Sequence, residues 1–136
     1  DCWVRHLALC AAAPETVAAR TQFLGGTEAF HFGPIADARR HLADLLALYR
    51  EGLQRPVHFF LRSGMRFLEK GNLEHARSRW TVGYGDVRAE SDDPYYRLAF
   101  GEGIDNAIDE EFEDTARRVL EPLVESIAGG LHESFA

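Results

Sequence analysis

Cysteine, methionine and lysine are scarce in this chain of 136 residues, which has two Cys, one Met and, at position 70, one Lys. Cys2 and Cys10 fall in one apolar segment with helical spacing, where a rise of about 1.5 Å per residue holds them about 12 Å apart, too far for a disulfide. With no disulfide framework and no paired CxxC motifs, the cysteine usage fits a reducing cytoplasm. No apolar run approaches the roughly 18 residues of a membrane span. The start lacks a basic-then-apolar leader pattern. A soluble, cytoplasmic protein without a membrane partner is therefore expected.

Positive charge is also short. Fifteen Lys and Arg against 22 Asp and Glu give a formal net charge of -7, which argues against a stand-alone nucleic-acid binder, because that affinity comes from cations neutralising phosphates. Fourteen of the fifteen cations are arginine. The six histidines are scattered, without HxxxH or HExxH spacing, so no metal site is expected. No GxSxG marks a nucleophile, and Gly83-Tyr84-Gly85 opens no dinucleotide fingerprint. No cofactor is expected.

What is present suits one globular domain over residues 1–136, since 46% of the residues are hydrophobic and a chain of this length buries a substantial core. It opens on Asp1, with the apolar pattern beginning at once at Cys2, Trp3 and Val4, as expected of a domain excised from a longer protein. Trp3, Leu7 and Cys10 define a first helix that stops at Pro14. Val17 to Leu24 and Thr27 to Phe32 are β-rich runs around Gly25-Gly26, which predicts a tight antiparallel hairpin.

A long helix is expected after Gly33-Pro34, with Ile35, Ala38, Leu42, Leu45, Leu46, Tyr49 and Leu53 as its stripe. Val57 to Leu61 reads as a buried strand. Ser63 is a candidate cap for a short helix ending at Gly71, and Asn72 for another carrying Leu73, Ala76 and Trp80. Thr81 to Pro94 reads as a loop, Tyr95 to Phe100 as a helical turn. Asp109 should cap a last helix with Phe112, Ala116, Val119, Leu120, Leu123 and Ile127 as its stripe, kinked at Pro122 and ended by Gly129-Gly130.

Pairing Leu24 with Thr27 puts Ala19, Thr21, Phe23, Glu28, Phe30 and Phe32 on one hairpin face. That face is largely apolar and should look into the core, with Glu28 as its carboxylate.

The segments Trp3-Val4-Arg5-His6-Leu7-Ala8-Leu9-Cys10-Ala11-Ala12, Leu45-Leu46-Ala47-Leu48-Tyr49-Arg50-Glu51-Gly52-Leu53, Pro56-Val57-His58-Phe59-Phe60, Ala76-Arg77-Ser78-Arg79-Trp80 and Asp92-Asp93-Pro94-Tyr95-Tyr96-Arg97-Leu98-Ala99-Phe100 follow one another in a specific order. Together they resemble the C-terminal domain of RecC, the gamma subunit of bacterial exodeoxyribonuclease V. The resemblance implies an α+β, restriction-endonuclease-like fold of the PD-(D/E)XK class, a mixed sheet flanked by helices with a degenerate active site. It implies a non-catalytic part of a helicase-nuclease (the RecBCD complex) acting in double-strand break repair and homologous recombination, set against the alpha subunit, RecD, in a complex that also holds the beta subunit, RecB, with DNA strands passing near.

An active nuclease of that fold needs two carboxylates for Mg²⁺ and a lysine beside the attacking water. Glu28-Ala29-Phe30 is the nearest match, with Phe30 at the lysine position and no Asp at Thr21 or Phe23. Lys70 follows Glu69, with Leu68 two residues before it, so no (D/E)xK triplet occurs in the chain. Catalytic residues, metal and cofactor are accordingly expected to be absent, with Glu28 and Phe30 marking the degenerate site. An active Mg²⁺-dependent nuclease and an unrelated interaction domain are the alternatives. Trp80, Tyr84, Tyr95, Tyr96 and Arg97 are the candidate partner-binding residues, because interfaces favour Tyr, Trp and Arg; Trp80 and one of the two adjacent tyrosines are alternatively core.

Overall fold

The structure, a computed structural model, describes residues 2–13, 17–24, 29–83, 85, 87–101 and 107–127, the side chains of 29 and 30 excepted. It is mainly helical: α1 (Cys2–Ala12), β1 (Thr21–Leu24), β2 (Ala29–Phe32), α2 (Ala38–Gly52), α3 (Leu61–Lys70), α4 (Leu73–Thr81), a 3₁₀ turn (Glu90–Asp92), α5 (Pro94–Phe100) and α6 (Glu110–Ser126). The chain divides into two compact units, residues 1–49 with 122–136, and residues 50–121. No helix among the described residues is long and apolar enough to cross a membrane.

In the first unit Trp3, Leu7, Phe32 and Ala38 form the buried centre, with Leu42, Leu45, Leu123 and Ile127 packed around them. His6 is fully buried on α1, and its two ring nitrogens lie 2.9 Å from the Thr21 hydroxyl and 2.8 Å from the Gly33 carbonyl. The carbonyl can only accept, so Nε2 donates to it. Phe32 stacks on the same ring at 5.1 Å.

The antiparallel hairpin forms, but Thr21 faces Phe32 and Leu24 faces Ala29, whereas the sequence suggested Leu24 opposite Thr27. His6 supplies the reason: by holding Thr21 and Gly33 on one ring it selects the register that makes them near neighbours. A slip of two residues conserves faces, because side chains alternate with period two. Thr21, Phe23, Phe30 and Phe32 therefore still share a side. That side is not uniformly inward: Ala19 and Phe32 are buried, while Phe23 is exposed. The two strands make a narrower sheet than the mixed one the resemblance implies.

Helix α2 begins at Ala38, several residues after Gly33-Pro34. Its stripe divides: Ala38, Leu42 and Leu45 pack with Trp3 and Leu7, but Leu46 and Tyr49 are exposed, as is Leu53 just beyond the helix.

In the second unit, Phe60, Phe67, Trp80, Phe100, Ile108 and Phe112 form the buried centre. The expected strand over Val57 to Leu61 is absent. Residues 56–60 are irregular, with the Phe59 N–H donating 2.8 Å to the Val57 carbonyl, and Leu61 already begins α3. A short apolar run does not by itself distinguish a strand from a buried entry into a helix. Phe60 is extended and caps nothing through its side chain.

Ser63 lies inside α3, and the capping group is Glu90, from the segment the sequence offered only as a loop. Its Oε1 accepts from the Arg62 N–H at 2.9 Å; its Oε2 accepts from the Ser63 N–H at 2.8 Å and the Ser63 hydroxyl at 2.6 Å. A carboxylate here satisfies two donors that a helix start leaves open and meets the positive end of the helix dipole. Gly83 lets this segment turn tightly: a Cβ there would sit 2.5 Å from the Val87 carbonyl oxygen.

Other ends follow the sequence closely. Gly71 closes α3 with φ of 65°, and the Asn72 side chain caps α4 by accepting from the Glu74 N–H. Asp109 caps α6, accepting from the Phe112 N–H at 2.9 Å. Pro122 lies inside α6, whose described extent ends at Ser126; Gly25, Gly26, Gly129 and Gly130 lie outside the described residues. Within the second unit, α3 meets α6 at Gly64, where a Cβ would fall 2.7 Å from Leu120 Cδ1. Arg117 pairs with Glu113 and Glu121, its guanidinium 4.8 Å above the Phe67 ring. Lys70 and Arg66 both pair with Glu69 and hold its carboxyl below the usual range, Lys70 more strongly.

Replacing Glu90 by Ala removes three hydrogen bonds and is expected to cost about 3 kcal/mol in urea unfolding, with Glu90→Gln losing less. Gly64→Ala should cost about 1–3 kcal/mol through overpacking, and a Leu120→Ala background should recover part of that loss in a double-mutant cycle.

Candidate docking groove

Helix α5 is short and set by its cap. The Asp93 side chain accepts from the Tyr95 N–H at 2.8 Å and Pro94 occupies the first turn, where its missing N–H is harmless. With α5 started there, helical spacing puts Tyr96 and Phe100 on one face and Tyr95 on another. Tyr96 stands edge-on to Phe60 at 5.0 Å and packs on Trp80 at 5.7 Å. Tyr95 is 78% exposed.

Beside α5 lies a shallow groove, wide open to solvent, of about 490 Å³, lined by residues 52–57 and by Tyr95, Tyr96, Ala99 and Phe100. Leu53, Pro56, Val57 and Ala99 give it apolar surface, Gln54 and Arg55 give it polar surface, and Leu53 is itself 69% exposed. Phe100 and Phe60 back it with rings 5.1 Å apart. His58 helps fix this segment: its Nδ1 lies 2.9 Å from the Asp109 carboxylate, and its ring stands edge-on to Phe100 at 4.8 Å.

Charge at the groove is held in a small network. Arg55 is bound by Glu51 and, at 2.7 Å, by Glu111. Glu111 and then Glu51 hold the Arg55 guanidinium above its ordinary value. Burial, followed by the charges of Glu90 and Asp93, pushes the Tyr96 phenol up, with Arg62 opposing.

Of the residues the sequence offered as partner contacts, Trp80 is 3% exposed and packs in the core, Tyr96 is half-buried above it, and Tyr95 and Arg97 are exposed on α5. Tyr84 lies outside the described residues. So does Glu28, while Phe30 is known only by its place in β2 opposite Phe23. Among the described residues no group of three His, Cys, Asp or Glu could hold a metal ion. The groove adds Leu53 and Val57, which sequence reading assigned to a helix stripe and a strand, and Pro56 between them. Their one sign in the sequence is Leu53, which carries the apolar stripe just past the end of α2.

One family model matches the chain, that of the RecC C-terminal domain, over residues 1–72. No curated protein matches it.

The raised Tyr96 phenol sets a direction for alkaline stability. Its folded value exceeds the unfolded one, so its contribution is complete below about pH 10 and is lost as pH rises through the folded value. Urea unfolding across that range should show the decline, and Tyr96→Phe should flatten it.

Proposed function

The chain belongs to the RecC C-terminal domain family, and on that premise we propose that it serves exodeoxyribonuclease V as a non-catalytic assembly domain that docks the alpha subunit, RecD. Membership gives the RecBCD and DNA-repair context. The subunit contact and the lack of catalysis are the proposal's own.

The observation that carries it is Tyr95, a large ring held out in water on a helix whose Tyr96 and Phe100 are packed on Phe60 and Trp80. An exposed aromatic on a rigid mount, beside an apolar groove, is what an interface anchor requires, since little conformational freedom is lost on docking. Leu53 continues the apolar surface.

The non-catalytic part rests on the sequence. With no (D/E)xK triplet anywhere in the chain, the paired metal carboxylates and lysine of a PD-(D/E)XK nuclease have no counterpart. The order α1, β1, β2, α2 and the antiparallel pairing of β1 with β2 support reading the first unit as part of that scaffold. The acidic net charge of -7 favours a protein partner over extended contact with DNA.

Co-purification with the alpha and beta subunits tests this. Tyr95→Ser should reduce alpha-subunit retention by about tenfold or more and leave the melting curve in place. No Mg²⁺-dependent cleavage of single- or double-stranded DNA is expected; cleavage abolished by Glu28→Ala would establish the nuclease reading instead.

A further inference from the structure

We infer that the groove beside α5 accepts an apolar segment of another protein that carries arginine or lysine next to its anchoring side chain. This deepens the assembly reading and rests on it for the groove being a docking site. The lining supplies the apolar half in Leu53, Pro56, Val57 and Ala99 with the Tyr95 ring beside them, and its one charged side chain is Arg55.

The groove's edges supply the charged half. Arg55 faces two carboxylates, Glu51 and Glu111, so that network carries one surplus negative charge. At the other side Asp93 heads α5 and exposed Asp92 precedes it. Arg97 is the cation on α5, so this side too counts one more carboxylate than cation.

Such a frame selects among occupants. A nucleic acid would bring phosphates to surplus carboxylates, and a second copy of this chain would bring -7 to -7. A segment of opposite sign gains at both edges while its apolar side chain fills the groove, and like-charged competitors are repelled.

Calorimetry with two synthetic peptides tests this: a leucine pair flanked by arginines, and the same pair flanked by glutamates. The arginine peptide should bind about fivefold tighter at low salt, the preference should fade toward one at about 1 M NaCl, and Tyr95→Ser should abolish binding of both. Glu51→Gln with Glu111→Gln, checked for an unchanged melt, should erase much of the preference, because Arg55 is then uncompensated. Equal binding of the two peptides, no binding of either, or a preference indifferent to the glutamine pair overturns the inference. If alpha-subunit retention is still lost in Tyr95→Ser, the assembly reading survives that result; if retention is unchanged, the assembly reading fails with it. A dimer or a DNA complex removed by Tyr95→Ser would also overturn the inference.

Discussion

The Glu90 carboxylate is the point on which the second unit depends. A single side chain, almost wholly buried, takes two backbone N–H groups and a hydroxyl at the start of α3. Burying a carboxylate is costly unless its lone pairs are met, and here the open donors of a helix start meet them. The 3₁₀ turn that carries Glu90 runs directly into Asp93, whose own side chain starts α5. The direction in which Tyr95 projects therefore follows from a hydrogen-bonded anchor several residues earlier.

Features fixed by neighbours in the chain were legible. Gly71 and Asn72 signal one helix ending and another beginning within two residues, and Asp109 followed by Glu110 and Glu111 announces α6; each side chain acts within one turn of its own position. The hairpin face was legible for a different reason, since period-two alternation survives a slip of two. Its register was not, because His6 sets it from a distance of 15 and 27 residues along the chain.

Glu90 and Ser63 show the same limit. A glutamate between Ala89 and Ser91 in a polar stretch looks like any solvated carboxylate, and Ser63 looks like a cap. Only the three-dimensional meeting of residues 27 apart turns one into the cap and the other into its donor. The candidate site was half visible: adjacent tyrosines marked α5, but which one would face water depended on where Asp93 and Pro94 started the helix. The opposite wall, Leu53 to Val57, was not legible, because Leu53 read as the end of the α2 stripe and Val57 as the start of a strand.

The pairing of Lys70 with Glu69 at the end of α3 has a practical side. It is the chain's one lysine, it is not among the groove-lining residues, and its side chain is 40% exposed. Amine-directed chemistry therefore meets a single side chain, and a dye, biotin or surface tether attached there would leave every groove-lining residue unmodified. This selectivity comes from a composition in which guanidinium has almost entirely replaced ammonium.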